Sequence, residues 1–125
     1  MTKRAWAFHP AADRELNATA SRYDEFRAGL GEAFLDALEE KLAIAASIAV
    51  PGTRVPGIAD EMVRRIFLSP RFPYQVVLVI DVDMVLAVAH LRRHPDYWRR
   101  RLPAARKTGA VKKRSGRGHT PKRRR

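Results

Sequence analysis

The chain has 125 residues and a mass of 14.2 kDa, enough for one domain with its own core but not for two. It contains no cysteine, which excludes disulfides and cysteine-ligated zinc. The net charge is +12, yet residues 1–102 carry 15 Lys and Arg against 13 Asp and Glu, a net of +2, whereas residues 103–125 carry 10 Lys and Arg and no acid.

No apolar segment of the sequence is long enough to cross a membrane. The longest run, residues 42–50, has nine residues, about half of the roughly 18 that a membrane-spanning helix requires. The basic start of the chain lacks the apolar stretch of a signal peptide. We therefore expect a cytoplasmic protein without a membrane partner.

A short strand and a helix are predicted at the start of the chain. Residues 5–9 alternate, with Trp6 and Phe8 on one face, which predicts a strand. Pro10 ends this strand and suits the first turn of a helix, because the N–H that proline lacks would be unpaired there. The helix is predicted to run to about residue 28, with an apolar row formed by Leu16, Ala20, Tyr23 and Phe26.

A second helix is predicted over residues 30–48, after the glycine-containing break at 28–31. Its apolar residues recur at nearly four-residue steps and form the row Phe34, Leu38, Leu42 and Ala45. The connection between the two helices is so short that they must form an antiparallel hairpin.

Three strands and a short helix are predicted in the second half of the domain. Residues 51–57 contain two Pro-Gly pairs and are predicted to be a loop. The strands are predicted at 63–69, 74–80 and 84–91, and connections as short as PRFP and DVD permit only antiparallel neighbours. A helix beginning at Pro95 follows. The predicted fold class is α+β, with a helical hairpin on one face of an antiparallel meander.

Four segments resemble the RelE/ParE superfamily of bacterial type II toxins, especially its ParE-like plasmid-stabilisation branch. RRIFLSPRFPYQVVLVID and VLAVAHLRRHPDYWRRRL are similar to the family's meander and terminal helix, and FHPAADRELNATASRYDE and GLGEAFLDALEE to its opening strand and helices. The resemblance covers about residues 5–102. It implies a strand–helix–helix–three-strand fold and one of two activities, ribosome-dependent mRNA cleavage (RelE-like) or poisoning of DNA gyrase (ParE-like).

The resemblance also implies positions for a nuclease site, and two of them depart from the family pattern. Arg65 and Arg93 match expected basic residues. Phe67 and Gln75 stand where the ribonucleases often have cations. Tyr97 or Trp98 lies near the family's C-terminal aromatic. Because two cations are missing, the sequence favours the ParE-like activity over the nuclease.

RNA cleavage through the 2′-oxygen requires a proton acceptor, a cation for the phosphorane and an acid for the leaving group. The candidate catalytic residues are Arg65, His90, Arg93 and Tyr97. His90 shares period-two spacing with the apolar residues Met84, Leu86 and Val88, so it can equally face inward. The alternative role for His90 is therefore structural. His90 and His94 have zinc-like spacing but no evident third ligand, so we expect no metal and no cofactor.

Arginines from neighbouring strands and turns form the candidate target-binding surface. They are expected to converge at one end of the sheet, and together with Trp98 they are Arg64, Arg65, Arg71, Arg92 and Arg93. Adjacent helical residues point about 100° apart, so Tyr97 and Trp98 cannot face the same way. One is expected to pack on the sheet, Trp98 being the more structural of the two, and the other to lie beside an arginine.

The resemblance implies a toxin that is neutralised by a cognate antitoxin protein and acts on DNA gyrase or on ribosome and mRNA. The alternatives are a RelE-type endoribonuclease and a non-toxic basic nucleic-acid-binding or interaction module. Residues 103–125 are predicted to be a disordered basic tail that binds nucleic acid without sequence specificity. Its cations include Lys112, Lys113, Arg114, Arg117, Lys122, Arg123, Arg124 and Arg125.

Binding of residues 103–125 to duplex DNA should be dominated by counterion release. The log affinity should fall with log salt at about 0.9 per phosphate neutralised, so engagement of half the charges implies a loss on the order of a thousandfold between about 50 and 200 mM salt. Fluorescence anisotropy with labelled DNA measures this slope. Truncation after Leu102 should abolish most of the binding and leave the melting temperature nearly unchanged. Equal binding by the truncated chain would assign the DNA contact to the folded domain.

Overall fold

The computed structural model describes residues 4–106, which form three helices, a final helical turn and a five-stranded sheet. The elements in chain order are β1 Ala7–Phe8, α1 Pro10–Phe26, α2 Leu30–Ala46, β2 Thr53–Arg54, β3 Val63–Phe67, β4 Tyr74–Val79, a 3₁₀ turn Ile80–Val82, β5 Met84–His90 and α3 Asp96–Arg99, followed by helical residues 102–106. The predicted α+β class, with a helical hairpin packed on one sheet face, is confirmed. The tail cations from Lys112 onward lie outside the described residues.

The strand order is β1-β5-β4-β3-β2. The predicted antiparallel meander is confirmed: Val63 pairs with Val79, and Tyr74 pairs with His90. Two features were not predicted. Strand β1 lies at one edge and runs parallel to β5. At the other edge, β2 pairs with β3 inside the segment predicted to be loop.

Pro10 begins helix α1 as the sequence predicted, and His9, which was assigned to the first strand, caps it. The Nδ1 atom of His9 accepts a hydrogen bond of 3.0 Å from the backbone N–H of Ala11, and Pro10 occupies the first turn. The helices are joined at Gly29, whose φ of +90° favours glycine. A side chain on Gly31 would collide with the carbonyl oxygen of Ala20, because the helices approach closely there. The hairpin therefore depends on glycine at both positions.

The sheet separates two apolar layers. On the hairpin face, α1 and α2 cover side chains of every second strand residue, with Phe34, Leu38, Val76 and Leu78 at the centre. On the opposite face, which we call the C-terminal face, the loop around Val55 and Ile58 and residues 97–105 cover Val63, Val77, Val79 and Leu86. Both layers exclude solvent, so each face of the sheet has its own cover.

A β-bulge in strand β5 changes the predicted orientation of His90. Val77 pairs with Ala87 but Leu78 pairs with Val85, so Leu86 is an extra residue. Met84 and Leu86 consequently pack on the C-terminal face, whereas Val88 packs on the hairpin face. The predicted period-two row of Met84, Leu86, Val88 and His90 was wrong for this reason. His90 lies on the hairpin face beside the ring of Tyr74, at 5.1 Å between centroids.

The folded part of the chain extends beyond Leu102, the predicted boundary of the tail. Residues 102–106 are helical, and Ala105 is completely buried in the C-terminal layer. Arg106 donates hydrogen bonds to Asp60, at 2.6 Å, and to Asp81. The hydrogen bond from Arg106 lowers the pKa of Asp60. For residues 103–106 the prediction of a disordered tail was therefore wrong.

These contacts overturn the expectation from the sequence that truncation after Leu102 leaves the melting temperature nearly unchanged. A chain ending at Leu102 should melt at a lower temperature than a chain ending at Arg106. Both lack residues 107–125, so the difference reports the burial of Ala105 and the ion pairs of Arg106. We expect the shorter chain to lose about 1 kcal/mol of unfolding free energy, which lowers the melting temperature by about 4–8 °C for a domain of this size. Thermal unfolding followed by circular dichroism measures the difference. Equal melting temperatures would show that the last helical turn does not stabilise the domain.

The ion-pair part of this difference should depend on pH. The pKa of Asp60 lies below its ordinary value of 3.8 in the folded chain, so the contribution is present above pH 3.8 and is lost as the pH falls through the lower folded value.

Candidate functional site

The structure divides the predicted catalytic residues between the two faces of the sheet. Arg65 lies on the C-terminal face, in the alternating row of Val63 on strand β3. Tyr97 packs against the same layer. His90 lies on the hairpin face, beside Tyr74. The four candidates therefore do not form one catalytic cluster.

Arg65, Phe67 and Gln75 occupy neighbouring positions on the C-terminal face. The guanidinium carbon of Arg65 lies 4.9 Å from the centre of the Phe67 ring, and Phe67 pairs with Gln75 across strands β3 and β4. Gln75 is buried. Among the described residues, neither Arg65 Nε nor Gln75 Oε1 has a hydrogen-bond partner, although both atoms are shielded from solvent. This row thus has one cation, one aromatic ring and one buried amide.

Tyr97 is held between two arginines at the start of the C-terminal segment. The guanidinium carbons of Arg93 and Arg101 lie 3.8 and 5.2 Å from the centre of its ring. Burial, followed by the negative charge of Glu15, raises the pKa of Tyr97 to about 12. The phenol therefore stays protonated at neutral pH, where it can donate a hydrogen bond but cannot act as a general base.

Trp98 is completely buried, so its assignment to the target-binding surface was wrong. It packs in the C-terminal layer with Val77 and Leu86. The expected division of the aromatic pair is confirmed, because Trp98 covers the sheet while Tyr97 contacts Arg93. Trp98 stabilises the fold and cannot touch a partner unless the C-terminal segment moves away.

The candidate arginines converge only in part. Arg71, in the β3–β4 turn, and Arg92 and Arg93, after β5, share one end of the sheet, since Leu91 donates a hydrogen bond to the carbonyl of Pro73 there. All three are exposed. Arg64 points elsewhere and donates hydrogen bonds to the carbonyls of Pro51 and Gly52 at 3.3 and 2.9 Å. Its role is to hold the β2 loop, and it does not belong to the exposed cationic surface.

Glu15 and Arg101 form an ion pair that sequence reasoning missed. The pair has contacts of 2.6 and 3.1 Å. Glu15 also accepts a hydrogen bond from the Val88 N–H, and Arg101 donates one to the Leu86 carbonyl, both at 3.0 Å. The partners are separated by 86 residues, so no local pattern could have joined them. Because Arg101 also lies beside the Tyr97 ring, the pair fixes that aromatic residue in place.

A groove on the hairpin face was also not predicted from the sequence. Its volume is about 620 Å³, and it lies between the end of α1, the start of α2, the β3–β4 turn and the end of β5. We call it the arginine groove, and its lining residues include Arg22, Tyr23, Phe26, Arg27, Arg71, Phe72, Tyr74 and His90. Phe26 was predicted to belong to the apolar row of α1 but is 83% exposed, and it is the last residue of that helix.

Within residues 4–106, no cluster of three or more His, Asp or Glu side chains is placed to hold a metal ion. No helix in this described part combines the length and apolar character needed to span a bilayer. No protein-family model, no curated protein and no solved structure matches the chain.

Replacement of Arg101 by alanine should destabilise the domain by about 2 kcal/mol, because the half-buried carboxylate of Glu15 loses its charged partner and keeps only the Val88 N–H, and the carbonyl of Leu86 loses the guanidinium donor. Urea unfolding measures the change. Arg100→Ala is the matched control, an exposed neighbour whose loss should stay within about 0.5 kcal/mol. A double-mutant cycle with Glu15→Gln isolates the coupling between the two charges. Equal stability of the Arg101 and Arg100 variants would contradict the structural role of the pair.

Proposed function

We propose that the protein is the toxin component of a type II toxin–antitoxin system, related to the RelE/ParE superfamily, and that it inhibits growth by poisoning DNA gyrase. The proposal rests on the resemblance of about a hundred residues. It is supported by the fold, in which a strand and a helical hairpin precede an antiparallel meander, as the resemblance implies. A cognate antitoxin protein would neutralise the toxin by binding the folded domain.

The separation of Arg65 from His90 favours the gyrase mode over RNA cleavage. A nuclease would need a proton acceptor next to the cation that stabilises the phosphorane. The imidazole of His90 lies on the hairpin face, and Arg65 lies on the other. Tyr97 stays protonated and cannot replace the base. Within residues 4–106, neither His90 nor Tyr97 can therefore serve as the base beside Arg65, and this is the observation that carries the choice.

The residues at the other expected nuclease positions support the same choice. Phe67 and Gln75 have no positive charge, and the amide of Gln75 is buried. Arg65 is thus the one charged side chain among the three residues of this row. Inhibition by binding needs no such constellation, and the exposed Arg71, Arg92 and Arg93 provide a cationic surface for it.

Controlled expression of residues 1–125 should arrest growth, and co-expression of the adjacent antitoxin should restore it. Arrested cells should show filamentation and DNA-damage signalling, and the purified protein should inhibit supercoiling by gyrase. Arg93→Ala should weaken that inhibition by about tenfold, the effect of losing one charged contact, whereas Arg14→Ala, an exposed arginine on α1, serves as the matched control.

Two other outcomes distinguish the alternatives. Cleavage of mRNA in the ribosomal A site with supercoiling untouched would identify a RelE-type endoribonuclease, and Arg65→Ala and Arg93→Ala should then each reduce cleavage strongly. Unaffected growth at confirmed expression would contradict the toxin hypothesis and favour a non-toxic nucleic-acid-binding or interaction module.

A further inference from the structure

The arginine groove has an aromatic floor of fixed geometry. The rings of Tyr23 and Phe72 meet edge to face at 5.1 Å, and Tyr23 meets Tyr74 in the same way at 6.3 Å. Phe72 and Tyr74 are buried, and Phe34 supports them from below at 5.5 and 5.4 Å. The volume of about 620 Å³ lies within the range of small-molecule sites. The groove thus offers a preformed surface to a flat ligand.

Three arginines line the groove, and no acidic residue does. Within the described chain, no carboxylate lies within 4.0 Å of the guanidinium groups of Arg22, Arg27 or Arg71. Arg22 donates to the hydroxyl of Tyr74 at 3.2 Å, and Arg71 stacks on Phe72 at 5.1 Å. None of the three is ion-paired within the described chain, so the groove favours an anion. Guanidinium groups bind phosphate through paired hydrogen bonds.

Phe26 leaves a large aromatic ring in solvent at the rim of the groove. It is the most exposed large apolar side chain of the described residues, at 83%, and it lies between Glu25 and Arg27 at the end of α1. An exposed ring contributes little to the fold, but it presents a face on which a nucleobase can stack. Phe26 and the neighbouring arginines thus combine an aromatic contact with a phosphate contact.

His90 contributes a directional donor to the same groove. Its Nδ1 accepts a hydrogen bond of 3.1 Å from the backbone N–H of Arg92. The neutral imidazole must therefore carry its proton on Nε2. The ring is fixed edge-on against Tyr74. A ligand in the groove can accept a hydrogen bond from this nitrogen.

We propose that the arginine groove binds a nucleotide, with the base stacked on Phe26 and the phosphate held by Arg27 and Arg71. An acidic peptide is a poorer match. The two strand residues that line the groove, Tyr74 and His90, already pair with each other and offer no free strand edge. The groove lies on the face opposite Arg65 and Gln75. It shares Arg71 with the cationic surface of the proposed function, whereas Phe26 belongs to the groove alone, so a Phe26 variant tests the nucleotide site separately.

Isothermal titration of the full chain at about 150 mM salt tests the proposal with adenosine and uridine monophosphates, inorganic phosphate and adenosine. Both nucleotides should bind more tightly than phosphate or adenosine alone. Phe26→Ala should weaken nucleotide binding at least fivefold, the lower limit of a stacking contact of about 1 kcal/mol, without changing phosphate binding. Because Phe26 is exposed, this variant should fold normally.

Arg71→Ala and Arg27→Ala should each weaken nucleotide binding about tenfold, whereas the matched control Arg14→Ala should not. Cations at residues 107–125 contribute equally to every variant, so comparison between variants isolates the groove. A trinucleotide that binds more tightly, with the same dependence on Phe26 and Arg71, would assign the site to the end of a nucleic-acid strand. Equal or weaker binding of the trinucleotide would assign it to a free nucleotide.

Three results would overturn the proposal. The first is phosphate binding as tight as nucleotide binding. The second is equal affinity of the Phe26, Arg71 and Arg14 variants for the nucleotides. The third is saturable binding of a glutamate-rich, acidic peptide in a parallel titration, together with no detectable binding of either nucleotide.

Discussion

An ion pair closes the open edge of strand β5, and the positions of α1, β5 and the C-terminal segment depend on it. Strand β1 pairs with only Met84 and Val85, so the rest of this edge has no neighbouring strand. Glu15 and Arg101 take the place of that strand by bonding to the Val88 N–H and the Leu86 carbonyl. Unpaired edges invite association with other chains. The pair removes that edge and attaches both α1 and the C-terminal segment to the sheet.

The bulge at Leu86 determines which chemistry each face can carry. In a regular strand, His90 would lie on the face of Met84 and Leu86, which is also the face of Arg65. A histidine and an arginine on one surface would resemble a nuclease site. The extra residue instead turns His90 toward the aromatic cluster of the hairpin face. One inserted residue thus places His90, the candidate proton acceptor, and the cation Arg65 on opposite faces of the sheet.

Local sequence patterns predicted the order of the helices and of the meander strands. Contacts between distant segments decided the edge strand pairings, the bulge and the ion pairs. The row of Phe34 and Leu38 was predicted correctly because helical spacing alone places those residues against the sheet. Phe26 continues the row of α1 but is exposed, and periodicity alone cannot show whether another element covers the end of a helix. The ion pair of Glu15 and Arg101 and the bulge in β5 depend on contacts between distant segments. The site was therefore less predictable than the fold that supports it.

The distribution of ion pairs, more than the net charge, decides where this domain can bind anions. Residues 1–102 are nearly neutral in sum. Their acids, however, are used selectively: Arg4, Arg101 and Arg106 pair with carboxylates at the N-terminus, at the β5 edge and at the last helical turn. The arginines of the groove, and Arg92 and Arg93 directly after β5, have no such partner among the described residues. A nearly neutral domain thereby gains two cationic surfaces that share Arg71, one lined by aromatic rings and one at the end of the sheet. Aromatic contacts select a base and charge alone selects any polyanion, so the two surfaces are suited to different partners.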